Sequence, residues 1–149
     1  MDLAHITEAG FWDVADTTSD PLVVSHAAVH DICPVSRNLT DEQLDKIADS
    51  GGVVGVSFAP AFLRPDRGRD TDVPISTLVD HVKYVADRVG VEHVALGSDF
   101  DGAPVPDAVG DVTGLPDVFA EIRDRGFDED EVRAIVRDNW LRVLRETWA

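Results

Sequence analysis

What most constrains this chain is a change of period that repeats along its length. Short apolar runs alternate with longer stretches whose apolar residues fall at helical spacing. The runs are Met1–His5, Leu22–Ser25 ending at His26, Gly52–Phe58 and Glu92–Ser98. The third holds Val53, Val54 and Val56 in near-continuous succession. That is the pattern of a parallel strand covered on both faces. Strict alternation of strand and helix predicts a parallel sheet joined by right-handed crossovers, in the order β-α-β-α-β-α-β-α-α.

The helix signals are local and specific. Thr7–Ala15 is a short helix with Phe11, Trp12 and Val14 facing inward, ended at Asp20-Pro21 because the residue before proline avoids helical geometry. Thr40 and Gln43 spell a capping box, Leu44, Ile47 and Ala48 share one face, and Gly51 supplies the stop. Ala59–Pro74 is polar and reads as an exposed βα loop, a candidate lid. A helix opening near Ser76 carries Leu78, Val82, Val85 and Val89 as its stripe and ends at Gly90. Leu115, Val118, Phe119 and Ile122 mark another, closed by Gly126. Asp128 with Glu131 caps a last helix, with Val132, Ile135, Val136, Trp140, Val143 and Leu144 on its inner side.

This architecture puts chemistry at one rim. In α/β folds side chains converge at the C-terminal ends of the strands. His5, His26 and Asp99 all fall there. Two imidazoles and a carboxylate are donor types suited to zinc, although each histidine alone can simply end a strand. The carboxylate can bind the metal or take a proton from water. Asp99-Phe100-Asp101-Gly102 also has the composition of a tight turn, a reading that suits Asp101 better than Asp99. Arg37, in the loop after His26, can fork onto a carboxylate, although a loop arginine is ordinarily solvated. His30, in the same loop, is assigned no role. His81, on the polar side or edge of its helix pattern, and His93, at the N-terminal end of a strand, read as structural. Cys33 is alone, so it forms no intrachain disulfide and reads as a small buried apolar residue. Neither a glycine-rich phosphate loop nor a G-x-S-x-G elbow occurs.

Charge narrows the partners. Twenty-nine acidic residues face 13 basic ones, a net charge of -16. Such a field repels nucleic acid and anionic membranes and reads as a solvated acidic surface. A lysine-poor, Asp-rich surface is similar to those of proteins from salt-loving cytoplasms. No stretch reaches the roughly 18 apolar residues of a membrane span, and no basic segment leads into an apolar core at the N-terminus. A cytoplasmic protein is the expectation.

Six blocks carry a resemblance. They are Asp2-Leu3-Ala4-His5, Val24-Ser25-His26, Ser36-Arg37-Asn38-Leu39-Thr40, Gly51-Gly52-Val53-Val54, Gly97-Ser98-Asp99-Phe100-Asp101-Gly102 and Asp138-Asn139-Trp140-Leu141-Arg142-Val143. In order and spacing they resemble the C-terminal half of the membrane (renal-type) dipeptidase family, peptidase family M19. The resemblance covers essentially the whole chain. It implies a parallel four-stranded half of a (β/α)8 TIM-type metallohydrolase barrel, a two-zinc site and hydrolysis of dipeptides. By resemblance, His5 and His26 match the two histidines that bind one zinc. Arg37 matches the arginine that holds the substrate's C-terminal carboxylate. Asp99 matches the aspartate beside the metals that assists proton transfer.

The departure from the family is its first half. A His-x-Asp pair, a glutamate bridging the zincs and a substrate-binding histidine have no counterpart here. Residues 1–149 therefore read as a single partial domain that starts at the family's fifth strand. Four strands cannot close an eight-stranded barrel, so the inner face and both edges are expected to be exposed. A second copy in a homo-oligomer, or a complementing N-terminal half, would cover them. The function expected is zinc-dependent dipeptide hydrolysis that needs the missing half, with weak metal binding by the chain alone. The alternative is a non-catalytic truncated fragment or a self-associating half-barrel module. A weaker reading is an independent α/β domain with a phosphoacceptor or Mg²⁺ site at Asp99 and Asp101.

Overall fold

The computed structural model describes residues 1–148. Three parallel strands lie side by side in chain order: β1 (Val23–Ala27), β2 (Val53–Val56) and β3 (Val94–Leu96). Between them run α1 (Glu8–Thr17), before β1, α2 (Asp41–Asp49), α3 (Pro60–Leu63) and α4 (Ile75–Val89). After β3 come α5 (Leu115–Asp124), α6 (Glu129–Arg133) and α7 (Asn139–Trp148). The α/β class and the parallel sheet are as the alternation predicts.

The expected first strand is reduced to one bridging residue. Asp2 pairs with Val23, and the Leu3 amide donates to the Val23 carbonyl at 2.8 Å. The Asp2 carboxylate captures the Ser25 amide at 3.0 Å, the donor that the next rung to the Leu3 carbonyl needs, and His5 then turns into the left-handed region at φ 67°. A side chain that takes an amide of the facing strand competes with the ladder and ends it.

Both faces of the sheet are covered. Val24, Val54, Val56 and Val94 enter the main core with Leu44 and Ile47 of α2 and Leu78, Val82 and Val85 of α4. The capping box of Thr40 and Gln43 starts α2 as predicted. Arg88 ties α4 to α2 through Asp41 at 2.6 Å and Asp45 at 2.7 Å. On the opposite face Val53 and Ala95 are fully buried against Trp140 and Val143. There α7 covers the surface that an open half-barrel was expected to leave bare.

One edge is closed as well. The Gly97 amide points to β2, so by alternation the carbonyls of Val94 and Leu96 point away from the sheet. They accept from Asn139 Nδ2 at 2.8 Å and Trp140 Nε1 at 3.0 Å. A π-helical turn over Ala134–Asp138 separates α6 from α7, where the sequence suggests one continuous helix. Its wider turn shifts the inward face. Val132 and Ile135 stay in the main core while Asn139, Trp140 and Val143 reach the sheet.

The 59–74 segment is more than an exposed loop. It opens with α3, and Leu63 and Val73 are buried. His81 is also fully buried rather than at a polar edge.

Candidate metal centre and active site

Pairing along β1 slips between Val24 and Ala27, which marks a bulge at Ser25-His26. Bulges re-aim side chains beside active sites. This one also aims the Ser25 carbonyl at β2 and β3. A Cβ on Gly55 would come within 2.1 Å of that oxygen, and one on Gly97 within 2.0 Å. Only glycine fits either position, so the bulge and the Gly97-Ser98-Asp99 turn are matched surfaces.

The two rim histidines meet. His5 Nε2 and His26 Nε2 stand 2.9 Å apart, with ring centroids 4.9 Å apart and planes tilted by 59°. Two nitrogens bound to one tetrahedral zinc at about 2.0–2.1 Å would stand about 3.3 Å apart. A few tenths of an ångström separate the observed pair from that geometry, so the donor set fits two ligands of one zinc. Among the described residues no group of three or more His, Cys, Asp or Glu converges on one point.

Behind His26 lies a relay. Its Nδ1 is 2.8 Å from Ser25 Oγ, and Ser25 Oγ donates to Asp2 Oδ2 at 2.5 Å. Asp2 Oδ1 accepts the Ser25 and Ala4 amides, both at 3.0 Å. Burial raises the Asp2 pKa, but the Ser25 hydroxyl and these amides outweigh it, and the carboxyl titrates below its ordinary value. Burial likewise lowers the His26 pKa, with Arg37 and His5 acting the same way and the Asp99 charge opposing them.

Arg37 folds back over the site. One Nη donates to the His26 carbonyl at 2.9 Å, and the guanidinium lies 5.5 Å from the Phe62 ring centroid. Its Nε is buried with no partner among the described residues. Burial lowers its pKa, and the carboxylates of Asp99 and Asp2 act the other way. Asn38 fixes the loop beside it, donating to the carbonyls of Cys33 at 2.9 Å and Phe62 at 2.8 Å.

Asp99 follows β3, as expected. It adopts φ 56° and Asp101 φ 65°, and the Asp99 carbonyl accepts the Gly102 and Ala103 amides. The segment is therefore a tight turn. The Asp99 carboxylate still acts on His26 and Arg37 through its charge. Non-glycine residues in left-handed geometry cluster at functional sites, and His5, Asp99 and Asp101 make three of four in the described chain. A cleft of about 600 Å³ opens beside His5 and Arg37, with His30 and Glu8 on its wall. Neither His26 nor Asp99 lines it.

The remaining histidines are structural. His93 Nδ1 donates to the Gly52 carbonyl at 2.9 Å. His81 accepts the Val29 amide on Nδ1 and donates from Nε2 to the Leu63 carbonyl, both at 3.0 Å. Sequence reasoning assigned no role to Asp2, Ser25 or Asn38. The available signal was adjacency, a serine next to one rim histidine and an aspartate three residues before the other.

Known proteins share this fold. The profile of the membrane dipeptidases, peptidase family M19, matches residues 1–149. A Klebsiella pneumoniae protein described as an uncharacterized protein in the pqqA 5' region is 49% identical over 148 residues, 99% of this chain and 55% of its own length. The dipeptidase tcpJ of Claviceps purpurea is 35% identical over 147 residues, 98% of this chain and 34% of its own. A metallopeptidase from Rhodobacter sphaeroides, solved with a phosphinate mimic of L-Ala-D-Ala, superposes with a TM-score of 0.96 at 44% identity, over 99% of this chain and 42% of its own. The dipeptidase AC, a family M19 metallopeptidase, gives the same TM-score and identity over 99% of this chain and 44% of its own. The chain thus spans between about a third and just over half of the length of these four proteins. With a profile match across every residue, the chain belongs to the membrane dipeptidase family, peptidase family M19.

Proposed function

We propose that this chain carries the C-terminal part of a zinc-dependent dipeptidase site, active when ligands from a complementing half join it. The observation that carries the reading is the 2.9 Å approach of His5 Nε2 to His26 Nε2 at the C-terminal end of β1. His5 and His26 would hold one zinc. Zinc bound there supplies Lewis acidity toward a peptide carbonyl. Arg37 binds the free carboxylate of the dipeptide, and its buried Nε, without a partner among the described residues, supports this role because an orphaned donor is costly until an acceptor arrives. Asp99 holds or moves a proton, a role supported by a carboxylate that shares its charge with His26 and Arg37. In this reading the chain is half of a barrel, and its partner is either a second copy or the missing half.

Zinc titration followed by calorimetry tests the reading. The 149-residue chain should bind about one zinc weakly, and His26→Ala should abolish binding. Dipeptide turnover should appear only when the N-terminal half of a family relative is added. No zinc uptake by the wild-type chain would sink the proposal. The rival reading, a non-catalytic module, draws on the covered sheet faces and the capped β3 edge. It predicts a metal-free chain that gains no activity from complementation.

A further inference from the structure

We propose that Asp2 and Ser25 are positioning residues that hold His26 in the tautomer protonated on Nδ1, with its Nε2 lone pair facing His5. The inference follows from counting protons along one chain of contacts. The Ser25 hydroxyl has a single proton. Asp2 is a carboxylate that can only accept, and its Oδ2 lies 2.5 Å from Ser25 Oγ, so the serine proton goes to Asp2. Ser25 Oγ therefore has only lone pairs to offer His26, and the 2.8 Å contact is made by an Nδ1–H donating to it. In a neutral ring the other nitrogen, Nε2, is then bare.

The two amides on Asp2 Oδ1 hold the relay in place. One belongs to Ser25 itself, so the same carboxylate fixes the serine's backbone and its hydroxyl. Gly55 and Gly97 leave room for the Ser25 carbonyl on the other side. His5 has no such support. Its Nδ1 makes no hydrogen bond among the described residues, and its Nε2 faces a bare nitrogen at 2.9 Å, so with both rings neutral it is His5 that donates across the pair. The pair is asymmetric. His26 is preset as a ligand, and His5 must shift its proton from Nε2 to Nδ1 before it can join the same cation.

The consequence for metal affinity rests on the zinc reading above, whereas the tautomer does not, and the experiment separates them. The 149-residue chain, labelled with ¹⁵N in histidine, is observed by long-range ¹H–¹⁵N correlation at about pH 8, where ordinary histidines are neutral. Wild-type His26 should show a protonated Nδ1 and a bare Nε2. Asp2→Ala keeps the serine hydroxyl but frees its proton to point at Nδ1, so the His26 tautomer should reverse. Ser25→Ala should leave a mixture, and Ser25→Thr should restore the wild-type pattern. Zinc affinity, measured by competition with a chromogenic chelator, should fall about 10–100-fold in Ser25→Ala and recover in Ser25→Thr. A wild-type His26 protonated on Nε2 overturns the inference, whatever the variants do. So does an unchanged tautomer in a folded Asp2→Ala. A wild-type spectrum as expected, in a chain that takes up no zinc, supports the positioning role and overturns only the metal reading.

Discussion

His81 and His26 are both histidines held by hydrogen bonds, yet the fold treats them in opposite ways. His81 sits in the core with both nitrogens engaged by backbone, accepting from Val29 and donating to Leu63. An amide can only donate and a carbonyl can only accept, so its tautomer is fixed and no lone pair remains. His26 is half-buried, and its own side-chain relay engages only Nδ1. Its second nitrogen faces another imidazole. A histidine becomes a ligand candidate when the surrounding chain occupies one nitrogen and spares the other. A lowered pKa does not distinguish the two, because burial lowers both.

The comparison can be broken by exchanging what each residue is needed for. His81→Ala should cost about 3 kcal/mol, since it opens a cavity and orphans the Val29 amide and the Leu63 carbonyl, and urea denaturation measures it. His26→Ala should change stability by less than about 1 kcal/mol while abolishing zinc binding. Equal losses of stability would erase the distinction. Gly97→Ala should cost about 1–3 kcal/mol, because its Cβ meets the Ser25 carbonyl at 2.0 Å, and should weaken zinc binding through the displaced bulge.

A pH series sharpens the same contrast. His81 has a folded pKa below the ordinary histidine value of 6.5, chiefly through burial, with the Leu63 carbonyl and the Asp80 charge opposing. Below pH 6.5 the unfolded chain takes up a proton that the folded one refuses, so stability rises with pH there. The contribution is whole above pH 6.5 and falls away as pH drops toward the folded value. Urea midpoints between about pH 5 and 8 should show this slope, and a folded His81→Gln should show less of it. The smallest effect belongs to the rim: Asp101→Gly should stabilise by up to about 1 kcal/mol by relieving its left-handed backbone. Zinc affinity should be unchanged in that variant, and a loss would draw Asp101 into the site.

How much of this was legible in the sequence depends on the range of the forces involved. The capping box at Thr40 and Gln43, the buried Val53–Val56 strand and the stripe of α4 follow from neighbouring residues, and the structure has them. The histidine pair follows from the N-terminal segment running parallel beside β1, which brings His5 to the end of the sheet where His26 lies. The first strand stops at one bridge because the Asp2 carboxylate takes the Ser25 amide that the ladder needs, a contact 23 residues away along the chain. The bulge at Ser25-His26 depends on Gly55 and Gly97, far away in the chain, and leaves no local trace. The same holds for His81, whose helix position looks polar-edged until Val29 and Leu63 close over it. The π-turn before α7 exists to satisfy two parts of the molecule at once, so helical periodicity could not announce it.

The carbonyls of Val94 and Leu96 accept from Asn139 and Trp140. A foreign strand can graft onto a sheet only where acceptors stand vacant, as they do in fibril growth. Along β3 the vacancy is filled from within, so a newcomer would have to dislodge an amide and an indole before making its first rung. Whatever docks on this margin must recognise the contour of α7 rather than zip onto its backbone.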